Sequence, residues 1–185
     1  MRILAVSGSL RESSFNTSLL RAAVEAVPDA VELELWEGLG GLPLYDEDLE
    51  QDVPESVRRL REDWAAADAI LFSTPEYNGS VPGGLKNAID WASRPKLEGV
   101  LRNKTVAVVG ASTGQFGALW AQQDLKRILG IAGARVVGTE IPVPRAHEQF
   151  DLEGRLLDGE IFEQLRLHLT TLASEAVAVP VRVAA

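Results

Sequence analysis

The tightest constraint on the fold is a repeated pattern: short apolar runs without polar alternation, each stopping at glycine or proline. Arg2 to Val6 runs into Ser7-Gly8-Ser9, Ala69 to Ser73 is ended by Pro75, and Thr105 to Val109 stops at Gly110. A strand lacking alternation has both faces buried, and sheets built from such strands are parallel, with helices on each side. Helical spacing fills the intervals. Leu19, Leu20, Ala23, Val24 and Val27 follow the capping types Ser13, Ser14 and Asn16. Pro54 suits the first turn of a helix through Val57, Leu60, Trp64 and Ala67, and further helices are expected from near Pro82 to Trp91 and over about Leu119 to Leu129. Ile161 to Val177 carries Leu165, Leu169 and Leu172 at the same period. Val31, Leu33 and Leu35 alternate with Glu32 and Glu34, as expected of a strand near a sheet edge, and Arg135 to Val137 reads as a short fifth strand. Gly38 to Asp52 reads as a loop, Pro142 to Arg155 as a loose segment, and the residues after Pro180 as a fraying end.

Five apolar strands separated by helices predict an α/β three-layer sandwich, a five-stranded parallel sheet with helices on both faces. In the order 2-1-3-4-5 of flavodoxin-like folds, the ligand crevice lies beyond the carboxyl ends of strands one, three and four. The length of 185 residues, with no internal repeat or linker, predicts a single domain over residues 1–185. A net charge of -9 argues against nucleic-acid and anionic-membrane binding, so any phosphate must be held locally. The absence of cysteine excludes disulfides, thiolate metal sites and a catalytic thiol, leaving redox chemistry to a cofactor. Met1 to Val6 lacks the layout of a signal peptide, and no window reaches the roughly 18 apolar residues of a membrane span, so a cytoplasmic protein without membrane insertion is expected.

Three loops at the strand ends carry the chemistry. The first, Ser7 to Thr17, joins a buried strand to a helix start, where unpaired N–H groups and partial positive charge favour an anion. Ser9, Ser14, Asn16 and Thr17 add short donors and Arg11 a charged one, although the same residue types also serve as plain helix caps. The loop has neither G-x-G-x-x-G nor G-x-x-x-x-G-K-[ST], which argues against NAD-first and ATP readings. The second loop, Thr74 to Trp91, is stiffened by Pro75 and Pro82, and Asn78-Gly79 favours a tight turn. It suits either the edge of a flat heterocycle, with Tyr77 as a wall, or an ordinary rigid turn. The third, Gly110 to Gly117, suits a ligand contact or a simple strand-to-helix turn.

Taken together, G-S-L-R-x-x-S-x-N at Gly8 to Asn16 and P-E-Y-N-G-S-x-P-G-x-L-K-N-A-x-D-W at Pro75 to Trp91 resemble the NAD(P)H-dependent FMN reductase family. That family includes flavodoxin-like quinone, chromate and azo-dye reductases, and the resemblance runs from Ile3 to roughly Val137. It implies non-covalent FMN, with Ser9, Arg11, Ser14, Phe15 and Asn16 around the phosphate and Phe15 acting mainly through its backbone, and Thr17 is counted with them as a short donor of the same loop. Pro75, Glu76, Tyr77, Asn78 and Gly79 would contact or flank the isoalloxazine ring, and Ser112, Thr113 and Gly114 would complete the crevice. Relatives often carry paired glycines where this chain has Phe116-Gly117.

The resemblance further implies hydride transfer from NADPH or NADH through the flavin to a small acceptor: a quinone, free flavin, azo compound or metal oxyanion. No catalytic side chain is then required, since the cofactor carries the chemistry. A flavodoxin-like electron carrier is the alternative, and a receiver domain is disfavoured because Ser7, Gly8 and Ser9 stand where an acidic pocket would be. A homodimer or dimer of dimers is implied as well. His147 and His168 lack paired ligand spacing, so no metal site is expected and solvated or capping roles are assigned to them. Lys86 and Asp90 are spaced for an intrahelical pair, and the four tryptophans, Trp36, Trp64, Trp91 and Trp120, suit packing or subunit contact.

Overall fold

The computed structural model describes residues 1–178, so the expected fraying after Pro180 lies outside the described residues. Its elements are β1 (Arg2–Ser7), α1 (Phe15–Ala26), β2 (Glu32–Trp36), α2 (Glu55–Ala66), β3 (Ala69–Thr74), α3 (Gly83–Ala92) and β4 (Thr105–Ala111). There follow α4 (Leu119–Ile131), β5 (Arg135–Val136), β6 (Pro142–Val143), α5 (Ala146–Gln149) and α6 (Gly159–Val177). The sheet is parallel in the expected order β2-β1-β3-β4-β5.

The fifth position is divided. β5 pairs with the start of β4, at Thr105 and Val106, while β6 pairs with its end, at Gly110 and Ala111. The Pro142 to Arg155 segment expected to be loose therefore completes the sheet edge and adds the short helix α5. At two residues, β6 has too little periodicity to be read from sequence.

The unalternated strands do have two buried faces. One face packs Ile3, Ala5, Leu71, Ala107 and Val109 against α1 and α6, including Leu19, Leu165 and Leu169. The other packs Leu4, Val6, Ile70, Phe72, Val106 and Val108 against α2, α3 and α4. Trp64 lies edge-on to Phe72 at 5.3 Å, filling a gap that smaller side chains would leave open. Edge strand β2 buries Leu33 and exposes Glu32 and Glu34, the alternation its sequence shows.

The structure corrects the reading of His168. It is 6% exposed on the inner face of α6, not solvated, and its imidazole packs against Gly138, where a Cβ would stand 2.4 Å from Cε1. Its position three residues after Leu165 and four before Leu172 puts it on the apolar stripe. Burial pushes its pKa down to about 4, and nearby Lys126 acts in the same direction against Glu140. His147 is exposed, and the Lys86–Asp90 pair forms at 2.7 Å.

Candidate functional site

Because β1, β3 and β4 are parallel neighbours, their following loops emerge at one edge of the sheet. Gly8 begins the first loop by donating its N–H to the Ser73 carbonyl at 2.8 Å. A Cβ here would meet Leu85 Cδ2 at 2.8 Å and Pro75 Cδ at 3.3 Å, so only glycine lets the first loop lie against the second.

Ser14 then caps α1, its hydroxyl accepting from the N–H groups of Asn16 and Thr17 at 3.2 and 3.3 Å. The Asn16 side chain is buried and turned inward. Its Oδ1 accepts from Ser73 Oγ at 2.9 Å and Ala111 N–H at 3.0 Å, and its Nδ2 donates to the Ala111 carbonyl at 3.0 Å. One amide thus ties the start of α1 to the ends of β3 and β4. Thr17 Oγ1 lies 2.9 Å from Ser7 Oγ, and Ser9 and Arg11 stay on the accessible side of the loop. The Arg11 guanidinium donates to the Ser13 carbonyl at 2.5 Å and sits 5.2 Å from the Phe15 ring centroid. Phe15 itself stacks on Phe150 at 5.7 Å, leaving its backbone at the helix end. Among the described residues, the N–H groups of Leu10, Glu12, Ser13 and Phe15 have no hydrogen-bond partner.

The second loop closes as a two-residue turn. Tyr77 and Ser80 exchange backbone hydrogen bonds at 3.1 and 3.2 Å, while Asn78 and Gly79 take φ of 52° and 76°, the left-handed pair that an Asn-Gly turn requires. Pro75 is buried and Tyr77 is half exposed. Glu76 reaches across to α4, accepting the Ala121 N–H at 3.1 Å, and Ser80 Oγ donates to Asp124 Oδ2 at 2.7 Å. Neither connection was visible in the sequence, because each partner lies more than 40 positions away.

The third loop is held from behind by the segment expected to be loose. Ser112 N–H donates to the Val143 carbonyl at 3.1 Å, and the carbonyls of Ser112 and Gly114 accept from Ala146 and Arg145, each at 3.0 Å. Ser112 Oγ also accepts the Gly114 N–H at 3.1 Å, and Thr113 is exposed. Gln122, buried on α4, donates to the Gly117 carbonyl at 3.2 Å and accepts Ile141 N–H at 3.0 Å. Phe116 and Trp120 present half-exposed rings 4.8 Å apart beside this loop.

A pocket of about 350 Å³ opens beside the first loop, lined by Ser7, Ser9, Arg11, Thr17 and Trp36 among others. A larger groove of about 680 Å³ lies on the flank between β2 and α2, away from the second and third loops. Its lining sets four carboxylates, Glu34, Glu37, Glu55 and Asp63, against the single guanidinium of Arg59, a charge balance that repels a phosphate. The three-loop edge is therefore the better candidate for an anionic ligand despite the groove's size.

Similarity to known proteins points the same way. Residues 1–148 match the family described as NADPH-dependent FMN reductase. An NAD(P)H-dependent FMN reductase of Pseudomonas aeruginosa is 42% identical over 174 residues, covering 93% of each chain. A 2-hydroxy-1,4-benzoquinone reductase of Burkholderia sp. is 35% identical, covering 96% of this chain and 95% of its own. Among solved structures, the flavoenzyme NAD(P)H:(acceptor) oxidoreductase FerB of Paracoccus denitrificans superposes with a TM-score of 0.82 at 33% identity, over 94% of this chain and 98% of its own. The chain belongs to the NADPH-dependent FMN reductase family and is a flavodoxin-like oxidoreductase that uses FMN and NAD(P)H.

Proposed function

We propose that the three loops hold FMN and that a quinone is among the small acceptors this chain reduces. The observation that carries the site assignment is the convergence of the loops, pinned together by Asn16 and lined by free N–H groups. Those donors and the end of α1 suit a phosphate dianion, with Arg11 supplying a charged contact. Ser9 and Thr17 add hydroxyls at the pocket wall. Ser14 and Asn16 have committed side chains, so they serve by shaping the loop, and Phe15 serves through its backbone N–H.

Pro75, Glu76, Tyr77, Asn78 and Gly79 frame the ring, and Ser112, Thr113 and Gly114 close the crevice. The turn's own hydrogen bonds use the N–H groups of Tyr77 and Ser80, leaving those of Asn78 and Gly79 as donors for the edge of a heterocycle. FMN, when bound, supplies the two-electron chemistry between nicotinamide nucleotide and acceptor. The protein's part is to bind and orient. A Cβ built at Gly79, Gly83 or Gly84 meets nothing within 4 Å, consistent with an open approach for both nucleotide and acceptor. That openness favours an enzyme over a carrier whose flavin is shielded from NAD(P)H.

Quinone reduction is favoured because similar proteins include the benzoquinone reductase and an NADPH:quinone oxidoreductase of Arabidopsis thaliana. We further propose a single domain over residues 1–185, acting in the cytoplasm as a homodimer or dimer of dimers. No helix among the described residues is long and apolar enough to cross a membrane. Steady-state oxidation of NADPH and NADH against quinones, free FMN, azo dyes and metal oxyanions tests the acceptor. Quinones are expected to support turnover, and the quinone assignment fails if only other acceptors do.

A further inference from the structure

Helix α4 begins without a side-chain cap of its own, although the Leu119 N–H donates to the Phe116 carbonyl at 3.0 Å. Its N-cap residue, Ala118, has a left-handed backbone with φ 61° and no side chain able to accept a hydrogen bond. Gly117 before it is also left-handed, at φ 57°. A helix start leaves N–H groups unpaired and carries partial positive charge, so it calls for an acceptor, preferably an anionic one. That acceptor comes from another loop: Glu76 Oε2 stands 3.1 Å from the N–H of Ala121, in the helix's first turn. One turn further on, Ser80 Oγ reaches Asp124 Oδ2 at 2.7 Å. Glu76 and Ser80 lie on either side of the Asn78-Gly79 tip, so the second loop is clasped to α4 on both sides of it.

We infer that Glu76 is a positioning residue: its carboxylate caps α4 from outside that helix and so fixes the second loop against the third, which runs directly into α4. The inference rests on the proposed FMN site. It gives the Glu76 side chain a task other than contact with the ring. Its consequence is specific. The cap needs an acceptor oxygen at the end of a side chain of this length, and it does not need full negative charge.

Glutamine keeps the length and the acceptor while losing the charge, whereas aspartate keeps the charge and draws the acceptor back by one methylene. Purified full-length wild type, Glu76→Gln, Glu76→Asp and Glu76→Ala are stripped of FMN and titrated with it, following flavin fluorescence and the visible circular dichroism of the bound flavin. Glu76→Ala and Glu76→Asp are expected to weaken FMN binding by about tenfold, the scale of a lost helix cap, and to alter the dichroism. Glu76→Gln is expected to recover most of the affinity. A role confined to fold stability would lower the melting temperature of the apoprotein without separating Gln from Asp in FMN affinity. The inference is overturned if Gln is as impaired as Asp, if Asp binds better than Gln, or if Ala binds like wild type. Because the comparison of Gln with Asp is decisive by itself, it holds even if Glu76→Ala fails to fold. Failure of the wild type to bind FMN would instead remove the proposed site.

Discussion

Among single residues, His168 is a buried titratable group whose charged form the fold disfavours. Its Nε2 is buried without a hydrogen-bond partner among the described residues, and its charged form is disfavoured by burial and by Lys126, with only Glu140 opposing. A native pKa of about 4 against an ordinary 6.5 means that the unfolded chain binds the extra proton first as pH falls. Stability is therefore complete above pH 6.5 and declines as pH drops toward 4, by about 3 kcal/mol from this residue alone. Urea unfolding across that interval should show the decline in wild type and a much flatter profile in His168→Leu. Equal slopes in the two proteins would refute the assignment. The helical position of His168 on the Leu165 and Leu172 stripe was readable from the sequence, yet residue type suggested solvent. Asn16 shows the converse. Its type fitted a cap or a phosphate contact, but its partners at Ser73 and Ala111 come from strand ends far along the chain, and only the fold brings them together.

For the elements, legibility followed length and burial. The long apolar strands and amphipathic helices carry enough residues for their period to emerge, so β1, β3, β4 and the major helices fall where the pattern puts them. β6 and α5 are too short for any period and are stabilised by the third loop's backbone instead. That contact constrains Gly117, whose φ is 57° and whose Cβ, if present, would stand 2.6 Å from Val143 N and 2.7 Å from Pro144 N. Alanine there adds left-handed strain of about 1–2 kcal/mol to a collision with backbone that cannot rotate away. Thermal unfolding of Gly117→Ala should show a clear drop in melting temperature, together with weaker FMN binding through the displaced third loop. An unchanged melting temperature would mean that β6 is not held against β4 in this way.

Across the whole molecule, two opposed cores sandwich the sheet, and the proposed FMN site lies at its carboxyl edge. The net charge of -9 does not prevent phosphate binding there, because helix-end dipoles, free N–H groups and Arg11 act at short range while distant carboxylates are screened. In the proposed site the choice of acceptor falls to the open space around Gly79, Gly83 and Gly84 and to the half-exposed rings of Tyr77, Phe116 and Trp120. Neither the acceptor nor the oligomeric state follows from sequence period, since both depend on surfaces whose partners lie outside the chain. In the proposed site, FMN held at this edge is accessible to both nucleotide and acceptor. Anaerobic stopped-flow mixing of the FMN-loaded protein with NADPH or NADH, followed by a quinone, measures that access. Rapid loss of the flavin's visible absorption with at least one nucleotide and its return on adding quinone are expected; absorption that persists with both nucleotides would overturn the proposed site.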